Sequence, residues 1–301
     1  METPAPSPQE ILRRARRVEL VASRLVSDAM VGAYLSRFKG RGTDFEELRE
    51  YVPGDDVRTL DWNVTARTGK PFVRLHREER ELSLVLAVDI SGSSRFGSGE
   101  LSTRERAAEV AAILALSALK AGDKVGLLLF SDRAEHWVPA RKGRRHALRV
   151  IRDILERPAA SARTAFAAPL RRLARAARRR AAVFVLSDFH PGPEGAEAMV
   201  AALGQLNARH DVACVHLLDS RTRTLPDVGL LALEDAETGE IAEVDTGSAS
   251  VRAAYAARAA QRLAETESAL ARASVDTLRL EETARPGPAL ARFFERRRRR
   301  R

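Results

Sequence analysis

From residue 82 onward, short apolar segments alternate with longer amphipathic segments, and this alternation limits the fold of the chain more than any other feature. Continuous apolar runs of about four to eight residues are typical of strands that are covered on both faces. Strands are therefore predicted at Leu82–Asp89, Lys124–Ser131, Ala181–Ser187, Val212–Leu218 and Asp276–Leu280. Helical periodicity predicts helices at Ser102–Ala121, Arg144–Glu156, Pro169–Arg180, Glu194–Arg209 and Ser250–Arg272. Strands that alternate with helices of this length predict an α/β fold with a doubly wound, mostly parallel sheet.

Smaller elements and the two ends of the chain complete the predicted organisation. An edge strand is predicted at His136–Val138, and a hairpin with its turn at Thr238-Gly239 joins strands at Gly229–Leu233 and Ile241–Val244. Residues 8–37 have the apolar spacing of one helix, whereas residues 43–80 are polar and turn-rich, with an extended segment at Phe72–Leu75. We therefore divide the chain into an N-terminal helix and small irregular subdomain (1–80), an α/β domain (81–285) and a basic C-terminal tail (286–301).

Oxygen-bearing side chains follow two of the predicted strands. Asp89, Ser91 and Ser93 come directly after the first strand, Thr164 precedes the Pro169 helix, and Asp188 ends the third strand. Ligands of open α/β sheets bind beyond the carboxyl ends of the strands, where the strand order reverses. Hard oxygen donors are the ligands that Mg²⁺ prefers. These five residues are therefore our candidate site for Mg²⁺ or Mn²⁺, and the alternative is that Ser91 and Ser93 only bond to local backbone.

The same five residues resemble the metal-ion-dependent adhesion site of von Willebrand factor type A domains, over roughly residues 80–282. The resemblance implies that the residues matching Asp89, Ser91, Ser93, Thr164 and Asp188 hold the metal directly or through water. It also implies that an acidic residue of a partner protein completes the coordination. Thr164 stands between arginine and alanine, whereas that family usually has glycine before the threonine and aspartate or asparagine after it.

A second resemblance lies upstream of the sheet. The motif comprises Lys39-Gly40-Arg41-Gly42-Thr43-Asp44-Phe45, Arg49-Glu50-Tyr51-Val52-Pro53-Gly54-Asp55-Asp56, Arg58, Asp61-Trp62 and Ala66-Arg67. It resembles the signature of the bacterial domain of unknown function 58 family, whose members carry a type A-like domain and are commonly encoded beside MoxR-type AAA+ ATPases. This resemblance implies a partner or adaptor of such an ATPase, acting with a further client protein.

The upstream segment itself has two interpretations. Its mixture of acidic, basic and aromatic residues predicts a small subdomain held by internal ion pairs, with Trp62 largely buried. The alternative is that these residues contact the partner directly.

Among function classes, the sequence favours a non-enzymatic binding module. It has no phosphate-binding Gly-x-x-x-x-Gly-Lys-Ser/Thr loop, no His-Glu-x-x-His motif and no Gly-x-Ser-x-Gly elbow. The alternative that remains is a magnesium-dependent hydrolase that uses Asp89 and Asp188, with His190 as a general base for metal-activated water.

Charge and cysteine content narrow the partners and the compartment. The formal net charge is +10, but Arg296–Arg301 supply six of these charges, and subtracting them leaves +4 for the other residues. Self-repulsion predicts that this tail is disordered, and the small remaining charge disfavours nucleic-acid binding. A single cysteine, Cys214, favours a reducing compartment. We find neither a signal peptide nor a run of about 18 apolar residues, and therefore expect a cytoplasmic protein without a membrane span.

Overall fold

The computed structural model describes residues 8–26, 34, 47–55, 57, 60–75 and 82–299. The strands are β1 (Glu47–Glu50), β2 (Phe72–Leu75), β3 (Ser83–Asp89), β4 (Lys124–Phe130), β5 (Ala134–Arg141), β6 (Ala182–Ser187), β7 (Asp211–Leu218), β8 (Leu230–Glu234), β9 (Ile241–Asp245) and β10 (Asp276–Glu281). The helices are α1 (Pro8–Leu25), α2 (Trp62–Thr68), α3 (Thr103–Lys120), α4 (Arg144–Glu156), α5 (Ala167–Ala176), α6 (Gly195–Arg209), α7 (Ala249–Arg272) and α8 (Pro286–Arg299).

A six-stranded sheet forms the centre of the described structure, with the strand order β10-β7-β6-β3-β4-β5. The first five of these strands are parallel, and β5 pairs antiparallel with β4 at one edge. This order confirms the predicted doubly wound, mostly parallel α/β sheet. The chain proceeds outward from β3 to β5 and then returns to the other side of β3 at β6. The strand order therefore reverses between β3 and β6, which is where such sheets bind ligands.

Alternation along β3 divides the core into two layers. Leu84, Leu86 and Val88 face one cluster of buried residues, whereas Val85 and Ala87 face the other. This follows from strand geometry, since successive side chains point to opposite faces of a sheet. Helices α1, α3, α4 and α8 contribute to the first cluster, and α5, α6 and α7 contribute to the second. Helices cover both faces of the sheet, so the apolar residues run continuously along each central strand, as the sequence indicated.

Local signals position the helices close to their predicted bounds. Helix α3 begins with a capping box: Ser102 Oγ accepts the Glu105 N–H at 3.2 Å, and the Glu105 carboxylate accepts the Ser102 N–H at 2.8 Å. The helix predicted at Pro169–Arg180 runs instead from Ala167 to Ala176, and its first backbone N–H groups donate to Glu194. The predicted edge strand at His136–Val138 is the middle of β5.

The N-terminal segment confirms one expectation and corrects another. Strands β1 and β2 pair antiparallel, and Arg49 and Asp55 form the predicted kind of internal ion pair at 2.6 Å. Trp62, however, is 69% exposed, so the prediction of a buried indole is wrong. The reason is that Asp61, not Trp62, is the anchoring residue: its buried carboxylate caps α2 by accepting the N–H groups of Asn63 and Val64 at 3.0 and 3.2 Å. Residues 27–33 and 35–46, together with Asp56 and Arg58, lie outside the described residues.

The C-terminal segment forms a packed helix. The prediction that Arg296–Arg301 is disordered is wrong for Arg296–Arg299, because these residues belong to α8, which buries Leu290, Phe293 and Phe294 against the sheet. Arg297 is only 4% exposed; it pairs with Asp211 and Asp276 at 2.5 Å each and lies 5.4 Å from the centre of the Phe293 ring. Asp211 is the first residue of β7 and Asp276 is the first residue of β10. Their carboxylates offset the positive charge of Arg297, which reduces the repulsion among the arginines of this segment. Arg300 and Arg301 lie outside the described residues.

Among the described residues, none of the helices combines the length and the apolar character needed to span a membrane.

Arg297→Met should lower the free energy of unfolding by about 2–3 kcal/mol, because it removes a buried cation that pairs with two partly buried carboxylates. Urea denaturation of the purified protein measures this loss. Arg298→Met is the matched control, since Arg298 is exposed in the same helix turn, and it should change stability by less than about 0.5 kcal/mol. Equal denaturation midpoints for the two variants would contradict a structural role for Arg297.

Candidate metal centre

Two carboxylates meet where the strand order reverses. Asp89 is the last residue of β3, Asp188 follows β6, and these strands are neighbours in the sheet. The hydroxyl of Ser187 joins them: it donates to Asp89 Oδ2 at 2.7 Å and lies 3.4 Å from Asp188 Oδ1. The two carboxylates therefore converge at the carboxyl end of the sheet.

Among the described residues, no basic side chain offsets the charge of this pair. Asp89 is 4% exposed, and burial together with repulsion from Asp188 raises the pKa of its carboxyl to about 7, although hydrogen bonds from Ser187 and Ser91 oppose the shift. Within the described part of the chain, no lysine or arginine forms an ion pair with either carboxylate. His216 lies beside this position in β7, but burial lowers the pKa of its imidazole, so it is neutral at pH 7. A divalent cation would supply the missing charge.

The loop after β3 places two hydroxyls beside Asp89. The Ser91 N–H donates to Asp89 Oδ1 at 2.9 Å, and the Ser91 and Ser93 hydroxyl oxygens are 3.2 Å apart. These hydroxyls bond to each other, so the alternative that they only bond to local backbone does not describe them. That bonding to local backbone is done instead by Ser94, whose hydroxyl donates to the Ser91 carbonyl at 2.7 Å.

Thr164 is on an adjacent loop and has a different partner. It is fully buried, and its hydroxyl donates to Glu237 Oε1 in the turn between β8 and β9 at 2.7 Å. Its loop reaches the serine loop through the Gly92 N–H, which donates to the Ala162 carbonyl at 2.7 Å. The structure therefore groups Asp89, Ser91, Ser93 and Asp188, and it places Thr164 beside them with its hydroxyl proton directed to Glu237.

A strained turn orients Asp188. Phe189 has a φ of 55°, a left-handed conformation that is uncommon for residues with a Cβ atom. Its N–H donates to Ser187 Oγ at 2.9 Å, and its buried ring stacks on Phe166 with 5.7 Å between ring centres. Such strain persists where the surrounding packing fixes it. His190 completes the turn by donating its backbone N–H to Asp188 Oδ1 at 3.1 Å, while its imidazole is exposed.

Sequence reasoning missed two residues of this region. Ser187 connects the carboxylates, and its position directly before Asp188 was the signal that could have identified it. Glu237 belongs to a turn that the sequence marked only as a hairpin connection, and no local pattern relates it to Thr164, which lies 73 residues earlier.

A cavity of about 650 Å³ opens beside the carboxylates, in the size range of small-molecule sites. Ser93 and Asp188 line its end nearest the candidate centre, and its walls come from the β8–β9 hairpin and from α7. Leucines supply much of the apolar lining, among them Leu231, Leu233 and Leu263.

The donor set fits a hard divalent cation. Two carboxylates and the hydroxyls of Ser91 and Ser93 offer only oxygen, which suits Mg²⁺ or Mn²⁺ and leaves room for bound water. The buried carboxylate of Asp89, which has hydrogen-bond donors but no basic ion-pair partner among the described residues, is the observation that the cation would explain. The described residues contain no group of three or more His, Cys, Asp or Glu side chains arranged to hold a metal. Hydroxyl groups and water must therefore complete the coordination.

Asp89→Asn should stabilise the metal-free protein at high pH. The folded-state pKa of Asp89 lies above its ordinary value of 3.8, so the folded protein holds this proton more tightly and loses stability as pH rises towards about 7. The variant lacks this loss, and its free energy of unfolding relative to wild type should rise by on the order of 2 kcal/mol between pH 5 and pH 8. Urea denaturation in chelator measures this difference in the free energy of unfolding. Groups that titrate alike in both proteins do not contribute to it. The same pH dependence in both proteins would contradict a strained carboxylate.

Comparison with known proteins assigns the family. Residues 47–265 match the family described as "Protein of unknown function DUF58". An uncharacterized protein of Mycobacterium tuberculosis strain H37Rv is 38% identical over 230 residues, which cover 76% of this chain and 71% of that protein. A Mycobacterium bovis protein gives the same values.

Solved structures give weaker similarities. The hypothetical protein BatB of Bacteroides thetaiotaomicron has a TM-score of 0.45 and 15% identity, covering 72% of this chain and 98% of that chain. The VWA domain of SpRpn10 has a TM-score of 0.41 and 12% identity, covering 72% of this chain and 95% of that domain. The family match covers most of the chain and includes the described part of the upstream motif, so the chain belongs to the DUF58 family.

Proposed function

We propose that the chain is a non-enzymatic, metal-dependent protein-binding module that acts with a MoxR-type AAA+ ATPase and a client protein. Mg²⁺ or Mn²⁺ would be held by Asp89, Ser91, Ser93, Thr164 and Asp188. The observation that carries this proposal is the buried carboxylate of Asp89, which faces Asp188 at the point of strand reversal without a basic ion-pair partner among the described residues.

Charge balance explains why a partner would contribute an acidic side chain. The two carboxylates Asp89 and Asp188 offset the two positive charges of the cation. One further carboxylate, exchanged for a bound water, is then electrostatically tolerable and gives a specific anchor. The adjoining cavity, which shares Ser93 and Asp188 with the candidate centre, offers apolar surface to the partner residues beside that acid.

The hydrolase alternative lacks comparable support. Its proposed general base, His190, meets Asp188 through the backbone N–H, and its imidazole is exposed. A general base must reach the proton that it removes, and in the described structure the His190 imidazole makes no hydrogen bond to Asp89 or Asp188, although it lines the adjoining cavity.

The ATPase is the partner that membership of the DUF58 family favours, because members are commonly encoded beside such ATPases. The upstream segment offers a second contact surface, since Val52, Val57 and Trp62 are 55%, 61% and 69% exposed. Exposed large apolar side chains in a short segment are typical of interaction sites. This favours partner contact as the role of Trp62.

Mg²⁺ or Mn²⁺ should raise the melting temperature of the purified protein. At a concentration about 100 times the dissociation constant, binding to the folded state contributes about 2.7 kcal/mol, which corresponds to an increase of about 5 °C or more. Asp89→Ala should abolish the increase, and Ser91→Ala should reduce it. Asp219→Asn is the matched control, because it changes a buried carboxylate at the end of β7 outside the candidate site and should keep the response. An unchanged increase in Asp89→Ala would exclude this metal site.

Binding of the ATPase should require the cation. In a pull-down with the MoxR-type ATPase of the same genome, chelator should release the complex, and both Asp89→Ala and Ser91→Ala should weaken it about tenfold or more. Arg296→Ala and Arg298→Ala are the controls for the basic C-terminus; both arginines are exposed, whereas a deletion would also remove buried Arg297. A complex that survives chelator and both site variants would show that the interface lies elsewhere.

A further inference from the structure

The turn between β8 and β9 is held by its own hydrogen bonds and reaches the candidate metal centre. The Asp235 carboxylate accepts the N–H groups of Glu237 and Thr238 at 2.8 and 2.9 Å, and these bonds lower its pKa. The Gly239 N–H also donates to the Asp235 carbonyl at 2.8 Å. A turn fixed by its own hydrogen bonds can hold a side chain in one position.

Two contacts join this turn to the loops that carry the candidate ligands. The carboxylate of Glu237 accepts the Thr164 hydroxyl at 2.7 Å, and the carbonyl of Ala236 lies so close to Gly92 that a Cβ there would be 1.9 Å from it. Gly92 stands between Ser91 and Ser93. The turn therefore covers both the serine loop and the threonine loop.

The chemistry of a hydroxyl gives the Glu237 contact a role in metal binding. A threonine hydroxyl has one proton to donate and two lone pairs to offer. When Thr164 donates its proton to Glu237, both lone pairs remain for a cation or a metal-bound water. Partners of this kind orient metal ligands and strengthen them as donors. The half-buried Glu237 also adds negative charge beside a site that must attract a cation.

We propose that Glu237 is a positioning residue of the metal centre and that the β8–β9 hairpin is part of this centre. Glu237 acts through Thr164, holding its hydroxyl so that the oxygen faces the cation. The inference rests on the proposed function, because it requires that Mg²⁺ or Mn²⁺ binds at the Asp89 site.

Isothermal titration calorimetry, in which Mn²⁺ is added to the full chain, tests this role. Glu237→Ala should weaken Mn²⁺ binding about tenfold, the lower range for loss of a partner that orients a metal ligand. Glu237→Gln retains an oxygen that can accept the Thr164 hydroxyl and should weaken binding less. Glu240→Gln is the matched control, since Glu240 is exposed on the same turn, and its affinity should equal that of wild type. In chelator, Glu237→Gln and Glu240→Gln should melt close to wild type, so the affinity loss in Glu237→Gln separates positioning from loss of fold.

A double-mutant cycle tests whether Glu237 acts through Thr164. Thr164→Val removes the same hydrogen bond, so adding Glu237→Ala to it should cost little further affinity. Wild-type affinity in Glu237→Ala, or full additivity in the double variant, would overturn the proposal while leaving the metal site intact. If wild type itself takes up no Mn²⁺, the proposed function fails, and the role of Glu237 fails with it.

Discussion

The repulsion between Asp89 and Asp188 is the interaction around which the carboxyl end of the sheet is built. Parallel pairing of β3 with β6 brings these carboxylates together, and burial raises the pKa of Asp89 to about 7. Several local features hold the two carboxylates in place despite their repulsion. The Ser187 hydroxyl lies between them, the Ser91 N–H donates to Asp89, and packing holds Phe189, next to Asp188, at a positive φ. Burying charge without compensation is unfavourable, and such arrangements are concentrated at functional sites.

A second pair of carboxylates lies at the carboxyl end of the sheet, and there hydrogen-bond donors stabilise the negative charge of Glu282. Asp219 follows β7 and Glu282 follows β10, and the Ser98 hydroxyl oxygen lies 2.5 Å from Asp219 Oδ1 and 2.8 Å from Glu282 Oε2, so its one proton is shared between them. Glu282 also accepts the backbone N–H and the hydroxyl of Ser220, and these bonds lower its pKa to about 2. Two carboxylates again share a serine, yet here hydrogen-bond donors stabilise the ionised form. Burial is the first cause of the raised pKa of Asp89, whereas hydrogen bonds dominate at the less buried Glu282, so burial and donors together separate this network from a site that would attract a cation.

The sequence predicts those parts of the fold that depend on local patterns. Apolar runs predicted the strands of the parallel sheet, and position at a strand end placed Asp89 and Asp188 in the candidate metal site. Both signals are local properties of the sequence. Contacts between distant residues are a different matter. Arg297 is one of six consecutive arginines, and only the folded chain shows that it alone of the described ones meets Asp211 and Asp276. The pairing of Thr164 with Glu237 likewise depends on where a hairpin folds back.

Backbone contacts fix the loops of the candidate centre. Gly92 bonds to Ala162 and packs against the Ala236 carbonyl, which leaves no room for a side chain. Gly192, with a φ of 57°, approaches the Thr164 carbonyl so closely that a Cβ would be 2.2 Å from it. Since these contacts already order the ligand-bearing loops, a cation would spend little of its binding energy on ordering them. Its main effect would be to remove the repulsion between the two carboxylates, so charge, and not loop closure, would be the basis of the proposed metal dependence.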